Sequence, residues 1–81
     1  MNNIPQKSEV YTHWKKPEHQ YEIVGIGLSQ MDSYDLKEMV IYKPLFVPDI
    51  DIEFWVRPLE DFLGEVEYGG GESGPRFKLV N

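Results

Sequence analysis

Ile52-Glu53-Phe54-Trp55-Val56-Arg57-Pro58-Leu59-Glu60-Asp61-Phe62-Leu63-Gly64 reads as a strand running directly into one turn of helix. Ile52, Phe54 and Val56 alternate with Glu53, Trp55 and Arg57, so the two sets point to opposite faces of a pleated segment. Aromatic and β-branched side chains suit such a half-buried surface. Pro58 has no N–H to give to a ladder, and its fixed φ suits the first position of a helix. Glu60 and Asp61 follow in the first turn, where unsatisfied N–H groups favour carboxylates by ~0.3–1 kcal/mol each. Leu59, Phe62 and Leu63 share one side of that turn. Gly64 supplies a residue able to leave it through the left-handed region.

Upstream, residues 10–14 form a short expected strand, with Tyr11 and His13 on one face and Val10, Thr12 and Trp14 on the other. Lys15-Lys16-Pro17-Glu18 turns the chain. Residues 20–28 are expected to form a strand with Tyr21 and Ile23 opposite Val24, Ile26 and Leu28, bent near Gly25 and Gly27. A polar loop with Asp32 and Asp35 as turn formers leads to a third strand, residues 38–46, which Pro44 marks as an end or an edge. Downstream, residues 65–68 and 76–80 are expected to form a final hairpin whose tip is Gly69-Gly70-Gly71. Its strands would set Glu65 and Glu67 across from Arg76 and Lys78.

Five or six short antiparallel strands with one helical turn near residues 58–63 describe an all-β chain, a small SH3-like antiparallel β-barrel. A disordered leader over residues 1–8 and a single barrel domain over residues 9–81 complete the expected organisation. At 81 residues the core is small, burying only about 60% of the unfolded surface. The absence of cysteine removes disulfides, thiolate metal sites and a cysteine nucleophile, and it suits a reducing cytoplasm. No stretch has the pattern of a signal peptide or approaches the ~20 apolar residues of a membrane span, so a soluble protein is expected. Fourteen acidic against eight basic residues give a net charge of −6, which disfavours nucleic acid as a partner without excluding a local basic spot.

Tyr11-Thr12-His13-Trp14-Lys15, Tyr21-Glu22-Ile23-Val24-Gly25, Val40-Ile41-Tyr42-Lys43-Pro44-Leu45-Phe46, Trp55-Val56-Arg57-Pro58-Leu59-Glu60-Asp61-Phe62 and Pro75-Arg76-Phe77 occur in that order. Together they resemble the bacterial domain-of-unknown-function family 1653, short free-standing proteins with a hallmark similar to Trp-Val-Arg-Pro-Leu-x-x-Phe. The resemblance runs over roughly residues 10–80. It departs where residues 46–54 are longer than expected, with Pro48 and Ile50 where members often carry Gly and Asp, and at the triple glycine. The resemblance implies kinship and no particular activity.

Trp55 and Arg57 share a strand face with Glu53, and an exposed aromatic beside a guanidinium makes a platform for a planar or anionic ligand. Tyr42, His13 and Arg76 are expected nearby in a rolled sheet. In the competing structural reading Trp55 is core and Arg57 lays its stem over it, paired to Glu53 or Glu60. His13 and His19 fit no metal-binding spacing, and Ser8, Ser29, Ser33 and Ser73 lie in polar loops without a nucleophile motif. The paired acids Glu60/Asp61, Asp49/Asp51 and Glu65/Glu67 read as solvated faces. The sequence therefore points away from an enzyme and towards a binding module that uses Trp55, Arg57, Tyr42, His13 and Arg76, with no cofactor and no metal. Its ligand or protein partner and its oligomeric state stay open. Single-stranded nucleic acid on the same face is one alternative; an accessory subunit or small hydrolase is another.

Overall fold

A computed structural model describes residues 4–30 and 36–80. In chain order, β1 is Val10–His13, β2 Gln20–Leu28, β3 Glu38–Pro44 and β4 Trp55–Pro58. The helix α1 is Leu59–Phe62, followed by β5 Glu65–Gly69, β6 Glu72–Pro75 and β7 Phe77–Leu79. The strands form an antiparallel sheet in the order β4-β3-β2-β1-β7 and a separate β5-β6 hairpin. The chain is thus mostly β, as its alternating segments imply. Its large sheet has two free edges, β4 and β7, and is not closed into a barrel.

The register decides which side chains share a face, because residues directly opposite each other point the same way. Tyr42 lies opposite both Ile23 and Trp55, and Val40 opposite Arg57. Tyr11 lies opposite both Tyr21 and Leu79, and His13 opposite Phe77. One face therefore carries Tyr11, His13, Tyr21, Ile23, Val40, Tyr42, Trp55, Arg57 and Phe77. Phe62 of α1 joins Tyr11, Ile23, Val40, Tyr42 and Phe77 to make the core, with Leu59 and Leu63 partly buried against it. Each fully buried side chain of this size contributes about 1.5–3 kcal/mol. Aromatic rings fill the centre: Phe62 stacks on Phe77 at 4.2 Å, and Tyr11 meets Phe62 edge-on at 5.1 Å.

Four expectations need correcting. The pairing of β2 with β3 shifts at Val24, so Ile26 lies opposite Val40 and returns to the Ile23 face instead of opposing it. β4 starts at Trp55, not at residue 52. Continuing its register would set residue 53 against Pro44, which has no N–H, and β3 ends there. Gly64 does not adopt a left-handed φ. Its backbone runs close to the helix instead: a Cβ there would sit 3.2 Å from the Glu60 carbonyl oxygen, a tight contact. Finally, β5 pairs with β6, so Glu65 faces Pro75 and Glu67 faces Ser73, while Lys78 faces Thr12 on β1. The anticipated charge match of Glu65 and Glu67 with Arg76 and Lys78 does not form, because the chain leaves the hairpin at Pro75 and joins the main sheet.

The glycine tip of that hairpin does form. Gly69, Gly70 and Gly71 have φ of 107°, 61° and 83°, a run that only glycine adopts readily. Near the amino end, Pro5 is buried and the Ser8 N–H donates to the Ile23 carbonyl at 2.9 Å. The turn formers Asp32 and Asp35 lie outside the described residues. No described helix is long and apolar enough to cross a membrane.

Candidate functional site

The core face is capped by α1 at one end and open at the other, beside the turn that joins β1 to β2. A cleft of about 230 Å³ lies there. Tyr21, Tyr42, Trp55 and Phe77 supply its aromatic surface, and Lys15, Lys16, Arg57, His13 and His19 its nitrogen groups. Among the described residues, no Asp or Glu lines it. Of the residues singled out from sequence, Trp55, Arg57, Tyr42 and His13 are brought together here. Arg76 lies outside the lining, between β6 and β7, where its N–H donates to the Gly64 carbonyl and its carbonyl accepts from Trp14.

Each side chain has a local reason for its place. Trp55 is 36% exposed, so it is neither core nor free of the sheet, and its register with Tyr42 turns it to the aromatic side. The Arg57 guanidinium lies over the Phe77 ring at 5.5 Å, and its Nε donates a long 3.4 Å hydrogen bond to the Tyr42 hydroxyl. Arg57 does not pair with Glu53 or Glu60; Glu60 is held by Lys37 at 2.6 Å. Among the described residues, Lys15, Lys16 and Arg57 make no salt bridge, which leaves their charge available to an anion. The turn bearing Lys15, Lys16 and His19 is held by hydrogen bonds from Lys16 to the His13 carbonyl and from His19 to the Lys16 carbonyl. His19 stacks on Phe46 at 3.9 Å. Sequence reading missed Lys15, Lys16 and His19, although their clustering in one proline-containing turn was a usable signal.

His13 sits between rings and cations. Its ring meets Phe77 edge-on at 5.1 Å, and its Nδ1 accepts the Lys15 N–H at 3.2 Å. The neutral ring thus carries its proton on Nε2. Burial, followed by the positive charges of Arg57, Arg76 and Lys15, holds its pKa below the usual 6.5. Burial and the neighbouring Tyr42 raise the Tyr21 phenol, against the opposing pull of Arg57, so it remains a donor at neutral pH. Among the described residues, no group of three His, Cys, Asp or Glu gathers closely enough to hold a metal ion.

The His13 shift has a sign that can be tested. Below about 6.5 the unfolded chain takes up a proton that the folded ring resists, so stability falls as pH drops through 6.5 towards the folded value. Ring NMR should show His13 titrating below 6.5. Urea midpoints should fall less on acidification in His13→Gln than in the parent chain. A ring that titrates at or above 6.5 would overturn the assignment.

A protein-family model described as protein of unknown function (DUF1653) matches residues 9–79. Neither the curated proteins nor the solved structures provide a match.

Proposed function

This chain belongs to the DUF1653 family of proteins of unknown function, and we propose that it is a non-enzymatic binding module whose cleft holds a ligand joining a flat ring to an anionic group. One observation carries the reading: the partly exposed Trp55 ring stands beside Arg57, with Lys15 and Lys16 at the same cleft, and among the described residues Arg57 makes no salt bridge and no carboxylate lines the cleft. A guanidinium donates two parallel hydrogen bonds to a phosphate or carboxylate, and an indole face accepts a planar ring. The strands curled around α1 are read as an SH3-like barrel left open between β4 and β7, with the cleft as its mouth. A cysteine-free chain suits the cytoplasm, where mononucleotides are abundant.

The test compares adenosine monophosphate with adenosine and with inorganic phosphate in an amide NMR titration of the labelled chain. The monophosphate should shift the Trp55 indole and the signals of Arg57 and Lys16, and should bind more tightly than either fragment. Equal weak effects from all three, or shifts scattered over the surface, would remove the reading.

A further inference from the structure

The cleft does not end at the β1–β2 turn. His13 and Lys15 line it and also line a second cavity of about 530 Å³. In that cavity Thr12 and Lys78, register partners on β1 and β7, lie beside Trp14 and Tyr68. By strand alternation Thr12 faces away from His13, so the two cavities meet around the end of β1.

The second cavity has its own aromatic wall. Trp14 stacks on Tyr68 at 5.3 Å. Tyr68 is held in turn by donating its hydroxyl to the Pro75 carbonyl at 2.7 Å. It also lies against Gly74, where a Cβ would come within 2.5 Å of its hydroxyl oxygen. The Trp14 Nε1 is buried and has no hydrogen-bond partner among the described residues.

Charge is sorted in the same way. Lys15, Lys16, Arg57 and Lys78 line the two cavities, four of the chain's eight Lys and Arg residues, while no acidic residue among the described ones lines either. Glu18, in the same turn as Lys15 and Lys16, offsets part of this field, while charges more than about 8 Å away are largely screened at physiological salt. The net charge of −6 is therefore a poor guide to this surface. The cleft alone, at about 230 Å³, is smaller than the ~300–1,000 Å³ of typical ligand sites, so a ligand seated there has to continue beyond it.

Building on the single-cleft reading, we propose that the two cavities form one groove for single-stranded nucleic acid. One base stacks at Trp55, another enters the cavity walled by Trp14 and Tyr68, and the phosphates between them pass Lys15 at the shared edge. Only a chain of flat rings joined by anionic links matches aromatic walls that alternate with cations, and only a flexible strand turns around the end of β1. A duplex is too stiff and hides its base faces.

The experiment follows the two tryptophan indole signals by NMR in the full chain, one for each cavity. The probes are adenosine monophosphate, a hexanucleotide, inorganic polyphosphate and a phosphopeptide of similar charge. The monophosphate should shift the Trp55 indole alone. The hexanucleotide should shift both indoles, bind at least tenfold more tightly, and lose affinity with salt at a slope of about −1.4 to −2.1, the value for two or three phosphates on a single strand. Lys78→Glu should weaken the hexanucleotide at least fivefold and leave the monophosphate unchanged. If the monophosphate binds but the hexanucleotide is no tighter and Trp14 is silent, the groove is wrong and the single cleft stands. If neither binds, both readings fall. Polyphosphate binding as tightly as the hexanucleotide, or phosphopeptide binding more tightly, overturns the nucleic-acid assignment. Should Lys78→Glu fail to fold, Lys78→Gln in the same titration gives the same discrimination.

Discussion

Phe62→Ala is expected to leave the chain largely unfolded at room temperature. Phe62 is 1% exposed, stacks on Phe77 at 4.2 Å and meets Tyr11 and Tyr42 edge-on at 5.1 and 5.5 Å. Truncating a buried phenylalanine costs ~3–5 kcal/mol through lost transfer energy and the cavity left behind. A single core in a chain of this size supplies about the same amount, ~3–5 kcal/mol, and there is no disulfide to make up the difference. Far-UV circular dichroism and a urea titration read the outcome. Phe62→Leu keeps most of the volume and loses only the ring contacts, so it should stay folded with a lowered midpoint. Val56→Ala is the contrast: Val56 is 57% exposed on the opposite face, and its truncation should move stability by no more than about 0.5 kcal/mol. A Phe62→Ala chain that melts like the parent would show that α1 is not the plug of this sheet. The consequence reaches the site as well, because Phe62 packs directly under Tyr42 and Phe77, two walls of the cleft.

That link between core and cleft was only half legible in the sequence. Alternation over residues 20–28 and 38–46 locates β2 and β3, the latter ending two residues early at Pro44, because it is a local property of a pleated chain. The same alternation puts Trp55 and Arg57 on one face of β4, where the register keeps them. What alternation cannot carry is a change of phase. The shift at Val24 is a property of two strands together, and it reverses the facing of everything beyond it in β2. The split of the last segment at Pro75 is likewise non-local: β6 completes the hairpin with β5, while Phe77 leaves to pair with His13, a residue from the start of the chain. For that reason Arg76, expected at the ligand face, lies at the junction, and the Trp14–Tyr68 stack has no signature in either segment. The cationic turn is the reverse case. Lys15, Lys16 and His19 lie within five consecutive residues, but only the antiparallel β1–β2 pairing swings them over the aromatic face.

Arg57→Ala is expected to weaken binding of adenosine monophosphate by about tenfold to a hundredfold, the range for losing hydrogen bonds to a charged partner worth ~1.5–3 kcal/mol. Stability should change much less. Arg57 is only half-buried, its bond to the Tyr42 hydroxyl is long at 3.4 Å, and no salt bridge is broken when it goes. Arg57→Lys separates charge from geometry: it keeps the cation but loses the planar fork and the stacking over Phe77, so it should recover part of the affinity and not all. Lys43→Ala serves as the control. Lys43 sits opposite Glu22 on β2, on the face away from the cleft, and has its own partner in Glu22 at 3.9 Å. Its removal also subtracts one positive charge, so any loss caused by net charge alone would appear there too. Calorimetric titration of the four chains at one salt concentration separates the cases. Unchanged affinity in Arg57→Ala, or an equal loss in Lys43→Ala, would mean that the guanidinium over Phe77 is a structural brace and that the ligand face must be sought elsewhere.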